Sequence, residues 1–247
     1  METNRLYHYC KLTTAIEYIL PDKQLLFNPI GKTNDPRENQ SFVFAGLNIH
    51  ASDNGNFNDR NTEISDEIRK DCKMLCLSRD VSPYFGYELS RMWALYGDHH
   101  KGVCIELDKE KFLRENHGKI KDTLFKPVTY YKLDVSKPIL HREIDFERID
   151  TIGLTDYVRK EFRPKNTDYL FYTKNKEWES EQEYRLVYFS DKTENEYCKI
   201  NTCIENIFLG VDFNDQYLPA IKQTCDRVNI YKLEYRDVRL VASKKLE

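Results

Sequence analysis

Three short runs of the chain hold side chains able to do chemistry. The first is Leu6-Tyr7-His8-Tyr9. Alternation along a strand sends Tyr7 and Tyr9 to one side and His8 to the other. An imidazole set among aromatics serves either as a hydrogen-bonded core group or as a ligand contact. The second run is Ser90-Arg91-Met92-Trp93-Ala94-Leu95-Tyr96-Gly97-Asp98-His99-His100-Lys101-Gly102. Trp93 and Tyr96 are three apart, hence neighbours on one helix face, where core packing is the plain reading. Two imidazoles and an amine then crowd one turn, which could contact a phosphate or a ribose. The third run is Trp178-Glu179-Ser180-Glu181-Gln182-Glu183-Tyr184-Arg185. As a strand it puts Glu179, Glu181, Glu183 and Arg185 on one face, successive members roughly 7 Å apart. As a helix it pairs Glu181 with Arg185 and leaves a solvated face. Carboxylates leading into a buried strand suit sugar hydroxyls or a developing positive charge.

These runs need elements to position them. Residues 5–9 alternate like a strand, residues 13–20 carry Ile16, Ile19 and Leu20 on one helical side, and residues 24–27 return as a strand. Asn34-Asp35-Pro36 is a turn signal, because Asx side chains bond nearby backbone and Pro fixes φ. Thr62 is a natural cap for a helix ending near Asp71, although Asn61-Thr62 also reads as loop. Residues 74–77 form a buried strand, 88–96 a helix and 102–107 a strand. The middle of the chain carries a short strand at 128–131 and helices at 146–162 and 168–174. Beyond it lie a strand at 183–189 and a strand–helix–strand unit over 204–235. Helices and strands intermix without a strict βαβα rhythm. The expectation is therefore a single α+β domain over 1–247 with a mixed, mostly antiparallel sheet core, flanking helices and a helical insertion at 140–176.

Composition narrows the function classes. The 38 basic residues nearly balance 41 acidic ones, leaving −3, so the chain lacks the global charge of a general nucleic-acid binder. No run approaches the ~20 apolar residues of a membrane span, and the first residues show no secretory pattern. Seven cysteines, an odd number, point to reduced thiols and a cytoplasmic setting. Cys72 and Cys76 have no second pair to complete a structural zinc site, and no metal site is expected. GxG, GxxxxGK[ST], HExxH and GxSxG are all absent.

Five stretches taken together resemble a bacterial family, the domain of unknown function 2971. They are Leu6 to Tyr9, Asn34-Asp35-Pro36, Leu75-Cys76-Leu77-Ser78, Met92 to Tyr96 with Gly102-Val103-Cys104-Ile105, and Trp178 through Glu183-Tyr184-Arg185. Their order is similar, more distantly, to that of ADP-ribosyltransferases: an early His, a central aromatic and a late strand opened by Glu. That resemblance implies an NAD-consuming enzyme, with NAD as substrate and no tightly bound cofactor. It implies Glu183 and Glu181 as catalytic residues, and His8 with Tyr96 or Trp93 as substrate-binding ones; Tyr9, His100 and Arg185, in the same three runs, are the further substrate-binding candidates. Two departures stand against the pattern: the aromatic sits on a helix, and only Ser78 approaches the usual Ser-Thr-Ser strand. The expected partners are a small dinucleotide and a protein or nucleic-acid acceptor, in a stress or defence setting and away from membranes. The alternatives are a non-catalytic recognition module and a nucleic-acid-processing protein. In the latter Arg185, Lys101 and Arg79 would line a groove, and the acidic cluster would hold Mg²⁺.

Overall fold

The two faces of the first strand differ, and the rest of the molecule is built around that difference. The structure, a computed structural model, describes residues 4–33, 35–39, 42, 44–47, 57–121, 124–132, 142–225 and 228–246. Its strands begin with β1 (Arg5–Cys10), β2 (Gln24–Leu26), β3 (Asn28–Pro29), β4 (Phe44–Leu47) and β5 (Cys72–Arg79). The middle supplies β6 (Val103–Asp108), β7 (Phe125–Pro127), β8 (Thr129–Tyr131), β9 (Arg142–Asp145) and β10 (Thr173–Asn175). The last are β11 (Glu183–Phe189), β12 (Tyr197–Lys199), β13 (Ile204–Leu209), β14 (Asn229–Arg236) and β15 (Arg239–Leu246).

Nine of these form one sheet in the order β15-β14-β13-β6-β1-β5-β11-β7, with β3 joined to β5. Every pairing within it is antiparallel except β13 with β14. That exception follows from the helix Leu218–Thr224, which carries the chain back over the sheet between them. The α+β class with a mixed, mostly antiparallel sheet is thus the observed one.

Leu6 and Cys10 of β1 join Leu75, Leu77, Ile105, Leu186 and Ile207 in one cluster, covered by the helical run over 12–22 and by Phe112 and Ile221. Each such side chain, fully withdrawn from water, stabilises the fold by roughly 1.5–3 kcal/mol. The opposite face carries two separate clusters. Met74 and Val187 pack under the helix Phe57–Arg69 and the helical run over 146–171. Tyr7, Tyr9, Cys104 and Phe208 pack around Trp93. Between them the register sets Ser78 opposite Glu183 and Cys76 opposite Arg185. Polar groups in the middle of the face keep the two clusters apart.

One seam in the sheet is short. β1 pairs with β6 over all six residues, and β5 with β11 over seven pairs. β1 and β5 share only Leu6↔Arg79 and Tyr7↔Ser78. Beyond Tyr7 the two strands part, and β3 takes up β5 farther along, at Asn28↔Met74 and Pro29↔Lys73.

Several local expectations are corrected. The helix ahead of β5 begins at Phe57, so Thr62 lies inside it and not at its start. Residues 168–174 are not a separate helix: the preceding helix runs on to Phe171, and Thr173–Asn175 then pairs with β8. Lys176–Glu181 is a 3₁₀ helix ended by Gln182 at φ 47°, which removes Glu179 and Glu181 from the strand face. β15 closes a hairpin with β14 that the pattern reading lacks. Asn34 lies outside the described residues, while Asp35 and Pro36 open a helical turn over Pro36–Asn39.

Candidate functional site

The parting of β1 and β5 opens a cavity of about 180 Å³. His8 and Tyr9 line it from β1, and Cys76 and Ser78 from β5. Met92 and Tyr96 close it from the helix Ser90–Leu95 and the residue just after it. Glu181 and Glu183 complete the wall together with Lys174 and Glu38. Sites for drug-sized ligands usually enclose roughly 300–1,000 Å³. This one therefore has room for a group smaller than a drug-sized ligand, and not for a whole dinucleotide.

Its floor is a chain of buried charges. Glu183 accepts from Arg185 Nε at 2.6 Å and Nη2 at 2.9 Å. Lys174 Nζ lies 2.8 Å from the same carboxylate and 2.9 Å from Glu181. The hydroxyl of Tyr96 donates to the other Glu181 oxygen at 3.0 Å. Arg185 continues the chain to Glu38 and donates to the carbonyl of Phe171 at 2.7 Å. Burial alone would raise the Glu183 carboxyl, but the charges and hydrogen bonds of Arg185 and Lys174 outweigh it and hold it well below the usual range. Burial likewise opposes the Lys174 ammonium, and the Glu183 charge overturns that, holding it well above the usual lysine range. Three carboxylates against two cations leave the floor one negative charge.

The backbone around this floor is pinned as firmly. Ser78 Oγ donates to the Glu181 carbonyl at 2.8 Å, and Arg79 N to the Gln182 carbonyl at 3.0 Å. The Glu183 N–H donates to Tyr130 Oη at 2.8 Å. The left-handed Gln182 is therefore the hinge that lets a 3₁₀ turn and a strand present Glu181 and Glu183 to one cavity.

His8 and Cys76 both line the cavity. His8 is half-buried, and burial pulls its pKa down to about 4, a backbone hydrogen bond with Cys76 offsetting part of the effect. At neutral pH it is an uncharged imidazole. Cys76 is exposed to the cavity, whereas the six other cysteines are buried. Depth pushes its thiol well above the ordinary value, and the Glu183 charge pushes the same way.

His8, Tyr9, Tyr96, Glu181 and Glu183 thus meet around one hollow. Trp93 does not reach it: wholly buried, it donates from Nε1 to the Tyr87 carbonyl at 2.8 Å and meets the Tyr9 ring edge-on. Tyr9 lines the hollow with its ring, its hydroxyl being spent on the carbonyl of Gly86 at 2.5 Å. Arg185 lies behind the wall at 1% exposure, where it orders carboxylates and is closed to a phosphate backbone. His100 also lies outside the lining. It belongs to a turn in which Asp98, His99 and His100 all adopt positive φ, and its carbonyl accepts from Asp212 N at 3.0 Å. That crowded turn ties the end of one helix to the end of β13. Within the acidic cluster Lys174 and Arg185 already pair with the carboxylates.

Three participants escaped the motif reading. Lys174 is an ordinary lysine until the fold sets it between two carboxylates. Cys76 sat in a recognised stretch, yet its neighbours gave no sign that it opens on a cavity. Glu38 had an indirect signal, the turn before it: Asp35 Oδ1 accepts from Arg37 N at 2.9 Å and its carbonyl from Glu38 N at 3.0 Å.

Residues 92–186 match the family described as Protein of unknown function (DUF2971), in agreement with the family resemblance of the motifs. That span supplies Met92, Tyr96, Lys174, Glu181 and Glu183 to the cavity, while His8, Glu38 and Cys76 come from outside it. No curated protein and no solved structure matches the chain.

Proposed function

We propose that the cavity takes the nicotinamide–ribose end of NAD and promotes cleavage of the bond joining them. The protein would be an ADP-ribosyltransferase-like enzyme of a bacterial stress or defence system. The observation that carries this reading is the meeting of His8, Tyr96, Glu181 and Glu183, from distant parts of the chain, around one hollow of about 180 Å³. In the reaction the ribose–nitrogen bond breaks and its electron pair leaves with nicotinamide. Water or an acceptor then donates a lone pair to the ribose carbon and releases a proton. The transition state is oxocarbenium-like, as in glycoside hydrolysis. A floor with one excess negative charge favours that cation over the ground state, which is the condition for acceleration. Glu183 Oε1 carries one hydrogen bond, from Arg185, and keeps acceptor capacity for a ribose hydroxyl. Tyr96, tethered by its hydroxyl to Glu181, offers a ring face to nicotinamide.

A second reading, recognition without turnover, draws on the same floor: every carboxylate oxygen of Glu181 and Glu183 already accepts from a cation or a hydroxyl. Calorimetry with NAD, paired with mass spectrometry of NAD consumption in the presence of protein and nucleic-acid acceptors, separates the two. The enzyme reading expects binding and turnover, with Glu183→Gln losing turnover by at least a hundredfold while still binding. Binding without turnover favours recognition. Absence of both ends the NAD reading.

A further inference from the structure

The turn Asp35-Pro36 has no part in the chemistry above, yet it carries a side chain into the same hollow. Glu38 is 1% exposed and lines the cavity. Its Oε1 is held by the Arg185 guanidinium, and its Oε2 is buried with no hydrogen-bond partner. The turn holds its backbone firmly. Arg37 donates to the carbonyls of Thr173 at 2.6 Å and Tyr169 at 2.9 Å, which locks the residue beside Glu38 onto β10 and the helical run over 146–171.

A buried carboxylate oxygen without a donor is costly unless something supplies one. Each oxygen of Glu181 and Glu183 already has a donor within the floor, whereas Glu38 Oε2 is the carboxylate oxygen there with none. It can only accept while ionised, and the floor already carries an excess negative charge. The ligand group that meets it must therefore bring an N–H or O–H and must not be an anion. In a cavity of about 180 Å³ a carboxylate has little room to withdraw from that field.

We infer that Glu38 is the specificity-determining residue of this cavity, its Oε2 accepting from the carboxamide N–H of the ligand and rejecting a carboxylate at that position. The inference rests on the NAD reading above and assigns the end of the molecule on which discrimination acts. Glu38 is a recognition residue: beyond its share in the charge of the floor, it takes no part in bond cleavage.

The test is calorimetric binding of NAD and of its acid analogue, in which carboxylate replaces the carboxamide, to the wild type and to Glu38→Gln. Wild type is expected to prefer NAD by at least tenfold. In Glu38→Gln the side-chain oxygen stays with Arg185 and the amide NH₂ turns into the cavity, so the preference is expected to fall severalfold or to invert toward the acid. A residue that served only to hold Arg185 would weaken both ligands alike. Equal affinity of wild type for the two dinucleotides overturns the role of Glu38 and leaves the NAD reading standing. Failure of wild type to bind either overturns both. Should Glu38→Gln fold poorly, equal affinity of wild type for the two dinucleotides still overturns the role.

Discussion

His8 supplies the most direct physical test of the cavity, because its environment makes a signed prediction about acid. In the folded protein the imidazole gains its proton only near pH 4, against an ordinary value of 6.5. The unfolded chain therefore binds that proton first. The stability His8 protects is complete above pH 6.5, drains away as pH falls toward 4, and changes no further below that. A full separation of this size is worth about 3.4 kcal/mol, and at pH 4.5 the loss amounts to about 2.5 kcal/mol. Glu183 adds its own acid sensitivity: held below its ordinary value, it stabilises the fold above the unfolded carboxyl pKa and loses that contribution below it. A variant that cannot titrate at position 8 separates the two. Urea unfolding of wild type and His8→Gln at pH 7.5 and 4.5 gives four free energies, and the difference of differences removes every carboxylate common to both. Wild type is expected to lose about 2.5 kcal/mol more than the variant over that interval. Equal losses, to within about 0.5 kcal/mol, would mean that His8 titrates as though in water and that the seam between β1 and β5 is flooded.

Two further expectations concern the floor and the thiol. Replacing Lys174 with Met leaves Glu181 and Glu183, each at 4% side-chain exposure, without their shared cation, and breaking a buried pair in this way costs about 3–5 kcal/mol. An unfolding free energy reduced by less than about 1 kcal/mol, the size typical of a surface pair, would show the floor to be solvated. Cys76 is expected to be the single cysteine labelled by a small thiol reagent under native conditions, and at a rate well below that of a free thiol, since its pKa is raised by burial and by Glu183. A ligand that fills the cavity should block the label. Rapid modification, or modification of several cysteines by intact-mass measurement, refutes the placement.

What the chain determined by itself was local. Short runs rich in apolar residues marked β11 and β13 at their observed limits, and β1, β5, β6 and β14 to within a few residues, because a strand covered on both faces writes such a run into its own sequence. Alternation along β1 separated His8 from Tyr7 and Tyr9, and the turn chemistry of Asp35-Pro36 was legible before its purpose was. Glu183 and Arg185 were recognisable as strand residues with a shared face. Glu179 and Glu181 were not separable from them, since a 3₁₀ turn ended by one left-handed residue leaves no period to read. The β15 hairpin also escaped, because the run Ser243-Lys244-Lys245 interrupts its apolar residues and breaks any period.

Only the tertiary structure decided which charges meet. Lys174, Glu181, Glu183, Arg185 and Glu38 come from four elements, and their partners are fixed by strand register and by the turn over Pro36–Asn39. Trp93 and Tyr96 share a helix face in sequence, yet one is core and the other wall. That choice depends on where the helix end lies relative to the seam. The cavity itself exists because β1 and β5 stop pairing after two residues. Loss of pairing between strands nearly seventy residues apart in the chain has no signature in either one, so the hollow could be seen only once the sheet was assembled.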